Sequence, residues 1–213
     1  MSDDEDVKVT DRRSAGEEDA PAGRSEISGS PIGEELDEQT RARRDAALAR
    51  VRKLGDPVLR ASAVEVDRFD DSLRSEIERM GLLMSDALGV GLAATQVGIL
   101  HRVLVYRAYA EDPITAMVNP VIEWRSEELE SAEEGCLSIP GVHVEVERPA
   151  RVRARARDAF GEELLVEAEG LQARVIQHEV DHLDGILYPR RIRDLAQFGF
   201  TDVLFPGESL TDD

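Results

Sequence analysis

The sequence predicts an α+β fold, a set of short strands with helices before and after it. Three features carry that expectation. Apolar residues recur at helical steps between residues 70 and 89 and again from Leu171 to His182. The segment between them holds short Val- and Ile-rich runs of β character. One pair of those runs, in "RVRARARDAFGEELLVEAE" (151–169), flanks a turn and reads as a hairpin. At 213 residues the chain suffices for one compact domain with a real core.

The elements follow in order. Residues 1–40 carry 13 acidic and 4 basic residues, with almost nothing large and apolar before Ile32, so residues 1–31 read as a disordered acidic tail. From Gly33 to Leu54 acids come first and bases last, as a helix dipole favours, and Gly55, Asp56 and Pro57 stop the run. Its apolar positions, Leu36, Leu48, Val51 and Leu54, are sparse, so this helix should dock through its second half only. In the second helix, over 70–89, Asp70 or Asp71 caps the start and Gly89 marks the end. Leu73, Ile77, Met80, Met84 and Leu88 form its apolar stripe. β-like runs follow at 102–106, 115–124 and 142–147, and then the hairpin. There Arg151, Arg153, Arg155 and Arg157 alternate with Val152, Ala154 and Ala156 and share one strand face. Such a face suits a nucleic-acid backbone, but pairing with Glu162, Glu163, Glu167 and Glu169 across the turn is the favoured reading. The last helix runs from 170 to 182 or 183, with Leu171, Val175, His178 and His182 on its inward stripe; Arg174 faces outward or rims a pocket.

Charge and cysteine usage narrow the function. Acidic residues number 45 against 26 basic ones, a net charge of -19, which repels phosphates and anionic lipids and argues against a general nucleic-acid or membrane binder. The single Cys136 excludes an internal disulfide, and no apolar run reaches the about 18 residues of a spanning helix. The N-terminal stretch lacks the order of a secretory signal and is too acidic for a mitochondrial transit peptide. A cytoplasmic location is the expectation.

The chemistry is concentrated in "VIQHEVDHLDG" (175–185). Two imidazoles four residues apart on a helix, His178 and His182, can aim nitrogens at one ion, with Glu179 within reach of a water there. Two hydrogen-bonded core histidines are the alternative. A metal needs a third ligand. The HExxHxxGxxH arrangement requires a histidine where Tyr188 stands, and the arrangement with a downstream acid finds only Asp202, about twenty residues on. Cys136, in "EEGCLSIPG", is another soft donor; one thiolate and two imidazoles leave a coordination position open for water. A buried small hydrophobe is the commoner fate of a lone cysteine.

"GVGLAATQVG" (89–98), "EGCLSIPG" (134–141) and "QHEVDHLDG" (177–185) resemble, in order and separation, the three signature motifs of the peptide deformylase family. The resemblance covers about residues 50–190. It implies antiparallel β-sheets packed around a central HExxH helix that binds the metal. It also implies hydrolysis of the formyl amide on the N-terminal formylmethionine of nascent polypeptides, releasing formate. Carried over residue by residue, Cys136, His178 and His182 hold the metal, and Glu179 moves the proton from water to the leaving nitrogen. The Gln96 side-chain amide and the Leu137 N–H stabilise the oxyanion. Gly89 and Gly91 let an extended peptide approach, with a helix stop and tight turn as the plainer reading, and Val90 and Val175 wall the methionine pocket. The resemblance implies ferrous iron as the cofactor, Fe2+, with Zn2+, Ni2+ or Co2+ able to substitute. The expected organisation is the tail at 1–31, a helical extension at 32–55, the catalytic domain at 56–205 and an acidic C-terminal tail at 206–213, acting as a monomer.

Some family members dock on the ribosome through a basic C-terminal helix. Here Arg190, Arg191 and Arg193 are followed by a short segment that ends acidic, which counts against that route. Two rivals remain, a metalloprotease that cuts internal peptide bonds and a metal-dependent binding protein without turnover. The second is disfavoured because Glu179 and Gln96 are both present.

Overall fold

The computed structural model describes residues 36–191. The acidic tail expected over 1–31, the start of the helical extension, Asp202, the end of the expected catalytic domain and the C-terminal tail lie outside the described residues.

Helix α1 spans Glu38–Leu48, with the Asp37 carboxylate accepting the Thr40 N–H at 3.0 Å. It ends at Leu48, short of the expected Leu54, because the chain beyond is bound elsewhere. The Arg52 N–H donates to the Gln96 carbonyl at 2.7 Å and the Leu54 N–H to the Ser138 carbonyl at 2.9 Å. As expected, docking is through the second half, where Ala47 and Val51 are buried. Helix α2 spans Asp71–Asp86, and Asp70 caps it by accepting from the N–H groups of Ser72 and Leu73. Its end differs from expectation: Leu88, at φ 57°, takes the left-handed position instead of Gly89. The Gly89 N–H reaches back to the Met84 carbonyl at 2.9 Å and that of Leu88 to Ser85 at 3.1 Å, closing a Schellman motif around a non-glycine residue.

Seven strands follow: β1 (Gly91–Ala93), β2 (Val103–Tyr106), β3 (Thr115–Arg125), β4 (Leu129–Cys136), β5 (Ile139–Pro149), β6 (Arg151–Arg157) and β7 (Glu163–Glu169). They form a five-stranded antiparallel sheet, ordered β1-β2-β3-β6-β7, and a separate β4-β5 hairpin. Two strands were not legible in the sequence. β1 is only three residues long, and β4 ("LESAEEGC") is too acidic to look like a strand. β4 exists because β5 pairs with it from Leu129↔Pro149 to Gly135↔His143.

Helix α3 (Gly170–Leu183) packs on one face of the large sheet and α1 and α2 on the other. β2 records both contacts: Leu104 and Tyr106 face the α3 core, Val103 and Val105 the α1–α2 core. Every residue of α3 from Ala173 to Leu183 is buried, so the helix is enclosed on all sides. Its polar flank, Arg174, Gln177 and Asp181, is as buried as its apolar stripe. The chain leaves α3 through Gly185 at φ 72°, where a Cβ would meet the Arg60 carbonyl oxygen at 2.6 Å.

The alternating arginines of β6 are exposed and share a face, as expected. Their pairing is only partly the one anticipated. Arg153 pairs across the hairpin with Glu167 at 2.7 Å. Arg155 instead meets Glu123 of β3, Arg151 meets Glu128, and Arg157 donates to the Gly161 carbonyl at 2.6 Å. A strand inside a sheet has two neighbours, and hairpin reasoning considers only one. Among the described residues no helix is long and apolar enough to cross a membrane.

Candidate metal centre

The α3 register brings His178 and His182 to one side of the helix, and the end of β4 brings Cys136 to them. One ligand atom from each of the three lies within 4.8 Å of the others. Cys136 Sγ is 3.2 Å from His182 Nε2. The His178 Nδ1 lies 2.9 Å from Glu134 Oε2, so a proton on Nδ1 is donated to that carboxylate and Nε2 is left to bind an ion. The Ser138 N–H points at Cys136 Sγ from 3.4 Å. Burial pushes the Cys136 thiol up, but the charge of His182 and hydrogen bonds from both imidazoles outweigh it and hold the thiol well below its ordinary value. A thiolate and two imidazoles are what a divalent transition metal takes, and the three donors leave room for water. The neighbourhood has the matching demand: Glu179 Oε2 is buried without a hydrogen-bond partner. The residues therefore fit a metal ion.

Glu179 is buried beside both histidines, and burial raises its carboxyl above the ordinary value, against the pull of the His178 and His182 charges. Gln96 sits in the 3-10 turn Ala94–Val97 after β1. The Ala93 N–H donates to Gln96 Oε1 at 2.8 Å, which turns the NH2 end of the amide inward, 3.2 Å from Ser138 Oγ and 3.6 Å from Cys136 Sγ. The Leu137 carbonyl accepts from Lys53 Nζ at 3.0 Å, a bond that steadies the turn carrying Cys136.

These groups stand at a cavity of about 740 Å³ that Gly89, Val90, Gly91, Leu137 and Val175 also line. All of the site residues expected from the sequence therefore gather here except His182, which lies beneath, 1% exposed. The two glycines have a reason the sequence did not suggest. A Cβ at Gly89 would meet Leu137 Cδ1 at 2.9 Å, and one at Gly91 would meet Glu179 Cγ and Cδ at 2.9 Å. Each makes room for a side chain of the protein itself.

Sequence reasoning missed the charged support under the three donors. Arg148, 4% exposed, donates to Glu134 Oε2 at 2.9 Å and to Asp181 Oδ2 at 2.8 Å. Arg174 donates to Glu134 Oε1 at 2.9 Å, and Arg191 also holds Asp181. The hydrogen bond with His178 and then the one from Arg148, with the charges of both, outweigh the upward push of burial on Glu134 and hold its carboxyl far below the ordinary range. The only local signal was Glu134, two residues before Cys136 in "EEGC". Tyr188, at the position where a third histidine was sought, instead stacks on His178 with ring centroids 5.8 Å apart. Its hydroxyl donates to the Val142 carbonyl at 3.0 Å.

An HExxH helix enclosed by antiparallel sheet, with a cysteine completing the donor set, defines a metal-dependent hydrolase. Residues 48–198 match the sequence profile of the family described as polypeptide deformylase. The chain is 46% identical over 163 residues to peptide deformylase 1 of Bordetella pertussis, covering 72% of this chain and 93% of that protein. It is 50% identical over 146 residues to the peptide deformylase of Thermotoga neapolitana, covering 68% and 88%. The crystal structure of peptide deformylase from Thermotoga maritima superposes with a TM-score of 0.66 at 46% identity, over 68% of this chain and 97% of that one. This chain belongs to the polypeptide deformylase family, hydrolases that remove the N-formyl group from nascent peptides.

Proposed function

We infer that this chain removes the formyl group from N-terminal formylmethionine and releases formate, with Cys136, His178 and His182 as metal ligands and Glu179 as the acid–base residue. The observation that carries the reading is the convergence of a thiol and two imidazoles beside a buried carboxylate with one unpartnered oxygen, at the floor of one cavity. The donor set accepts ferrous iron, zinc, nickel or cobalt, and ferrous iron is the ion we assign in the cell. When bound, the ion supplies a Lewis acid and lowers the pKa of a water beside it. The rest falls to the chain's own residues. Glu179, its proton affinity raised by burial, takes the proton of the attacking water and delivers it to the departing nitrogen. The Gln96 NH2 group, oriented in advance by the Ala93 N–H, and the Leu137 N–H receive the charge that develops on the formyl oxygen. Val90 and Val175 border the methionine side chain. The substrate backbone runs along Gly89–Gly91, because among the described residues β1 is the edge strand of its sheet. One chain supplies every one of these groups, which supports action as a monomer.

The test is formate release from formyl-Met-Ala-Ser by protein purified without air and loaded with ferrous iron. An acetylated peptide and an internal-cleavage peptide serve as controls. Formate from the formyl peptide alone is the expected result. No release despite bound metal overturns the reading, and cleavage of the internal bond points to a protease.

A further inference from the structure

The cavity wall is not built by the family segment alone. Arg44 and Leu48, one helical turn apart on α1, also line it, and Arg44 precedes the matched residues 48–198. We propose that Arg44 determines substrate preference by receiving an acidic side chain of the peptide downstream of formylmethionine. The proposal rests on the deformylase reading above.

Arg44 is available for this role. Its side chain is only 27% exposed, and its ion pair among the described residues is a long one, 4.0 Å to the exposed neighbour Asp45. Arg174 lines the same cavity but is fully engaged. Its Nη1 donates to Glu134 Oε1 at 2.9 Å and to the Val146 carbonyl at 2.7 Å, and its Nη2 to the Glu130 carbonyl at 2.8 Å. Arg44 is also presented from a fixed element. Ala47 and Val51 are buried in the α1–α2 core, Arg43 pairs with Asp86 of α2 at 3.6 Å, and Lys53 Nζ holds the Leu48 carbonyl at 2.7 Å. A planar guanidinium matches a carboxylate in two parallel hydrogen bonds, and the partly enclosed wall strengthens that pairing relative to open water. The chain's net charge of -19 otherwise disfavours acidic peptides, so a local cation on the cavity wall has an evident use. The neutral face of Leu48 beside it accommodates the methylenes of the same side chain.

The test uses a neutral peptide, formyl-Met-Ala-Ser-Ser, and versions with Asp or Lys at the second, third or fourth position. Each is assayed with the iron-loaded parent, Arg44→Ala and Arg44→Glu. The readout is the Asp-to-Lys ratio of kcat/KM at each position. At one position the ratio should fall about fivefold in Arg44→Ala and further in Arg44→Glu, with the differences shrinking at high salt. An identical ratio in all three proteins at every position overturns the proposal, and would mean that Arg44 meets a peptide carbonyl or nothing. The neutral peptide separates the two failures: no formate from it with any of the three proteins overturns the deformylase reading itself, and this proposal with it.

Discussion

Replacing Gly91 by alanine adds one methyl group where Glu179 already stands. The new Cβ would lie 2.9 Å from both Cγ and Cδ of Glu179, well inside the about 3.5 Å at which carbon atoms attract one another. Rotation at the tip of the side chain cannot relieve this, because the stem of the glutamate is touched as well. Nor can the backbone move easily, since α3 is buried from Ala173 to Leu183. Overpacking of this kind costs about 1–3 kcal/mol, or about 2–12 °C in Tm for a protein of this size. The larger effect falls on turnover: a general base displaced by a fraction of an ångström to about 1 Å loses about 100-fold in kcat. Gly89→Ala is the comparison. Its Cβ comes too close only to Leu137 Cδ1, the end of a flexible side chain that can rotate, while the Gly91 carbonyl oxygen and Leu137 Cγ stay at 3.5 Å, so kcat should fall no more than about tenfold. Formate release, metal content and thermal unfolding measured on both variants decide the matter. Gly91→Ala with full metal and kcat within about threefold of the parent would refute the reasoning, since 100-fold is what it demands.

Four further outcomes are expected. Glu179→Ala should keep its metal and lose about 100- to 10,000-fold in kcat, read by elemental analysis and formate release; full activity would remove Glu179 from its acid–base role. Cys136→Ala should lose metal on dialysis against a weak chelator, and unchanged metal content would count against the thiolate as a ligand. Arg148→Met leaves the buried carboxylates of Glu134 and Asp181 short of a partner, and should cost about 3–5 kcal/mol in urea unfolding, less if Arg174 and Arg191 compensate. Asp70 is held below its ordinary 3.8 by the Leu73 N–H and then by the charge of Arg68. A depressed carboxyl stabilises above its unfolded value and ceases to as pH falls through the folded one. The gap in urea midpoint between the parent and Asp70→Ala should therefore be present at neutral pH and close in strong acid.

Much of the site is local in sequence and so was legible there. His178, Glu179 and His182 announce their geometry because a helix repeats its face every three to four residues, and no distant contact is needed to put two imidazoles side by side. The α2 stripe and its Asp70 cap, the hairpin at 151–169 and the extent of α3 are of the same kind. Cys136 came from its motif setting, as did the roles given to Gln96 and Leu137, since nothing in spacing alone ties the last residue of a strand to a histidine 42 positions later. Hydrophobic periodicity reports which face of an element is apolar. It does not report what covers the other face. Arg174 could therefore be read as facing outward or rimming a pocket, whereas Glu134, Arg148 and Asp181 form a buried charged network with it, and the half-exposed Arg191 closes on Asp181. α1 stops at Leu48 because Gln96 and Ser138 bind the backbone beyond it, a competition that helix propensity cannot register.

What the sequence determined by itself was the thiol and the two imidazoles, the carboxylate beside the first imidazole, and the α+β class, each a property of residue identity and short-range spacing. What only the tertiary structure decided was which charges are buried together, why Gly91 must lack a side chain, and that a helix outside the family segment lends Arg44 to the cavity. Those facts depend on partners far apart along the chain, and an isolated residue pattern carries no record of the neighbour that folding will bring.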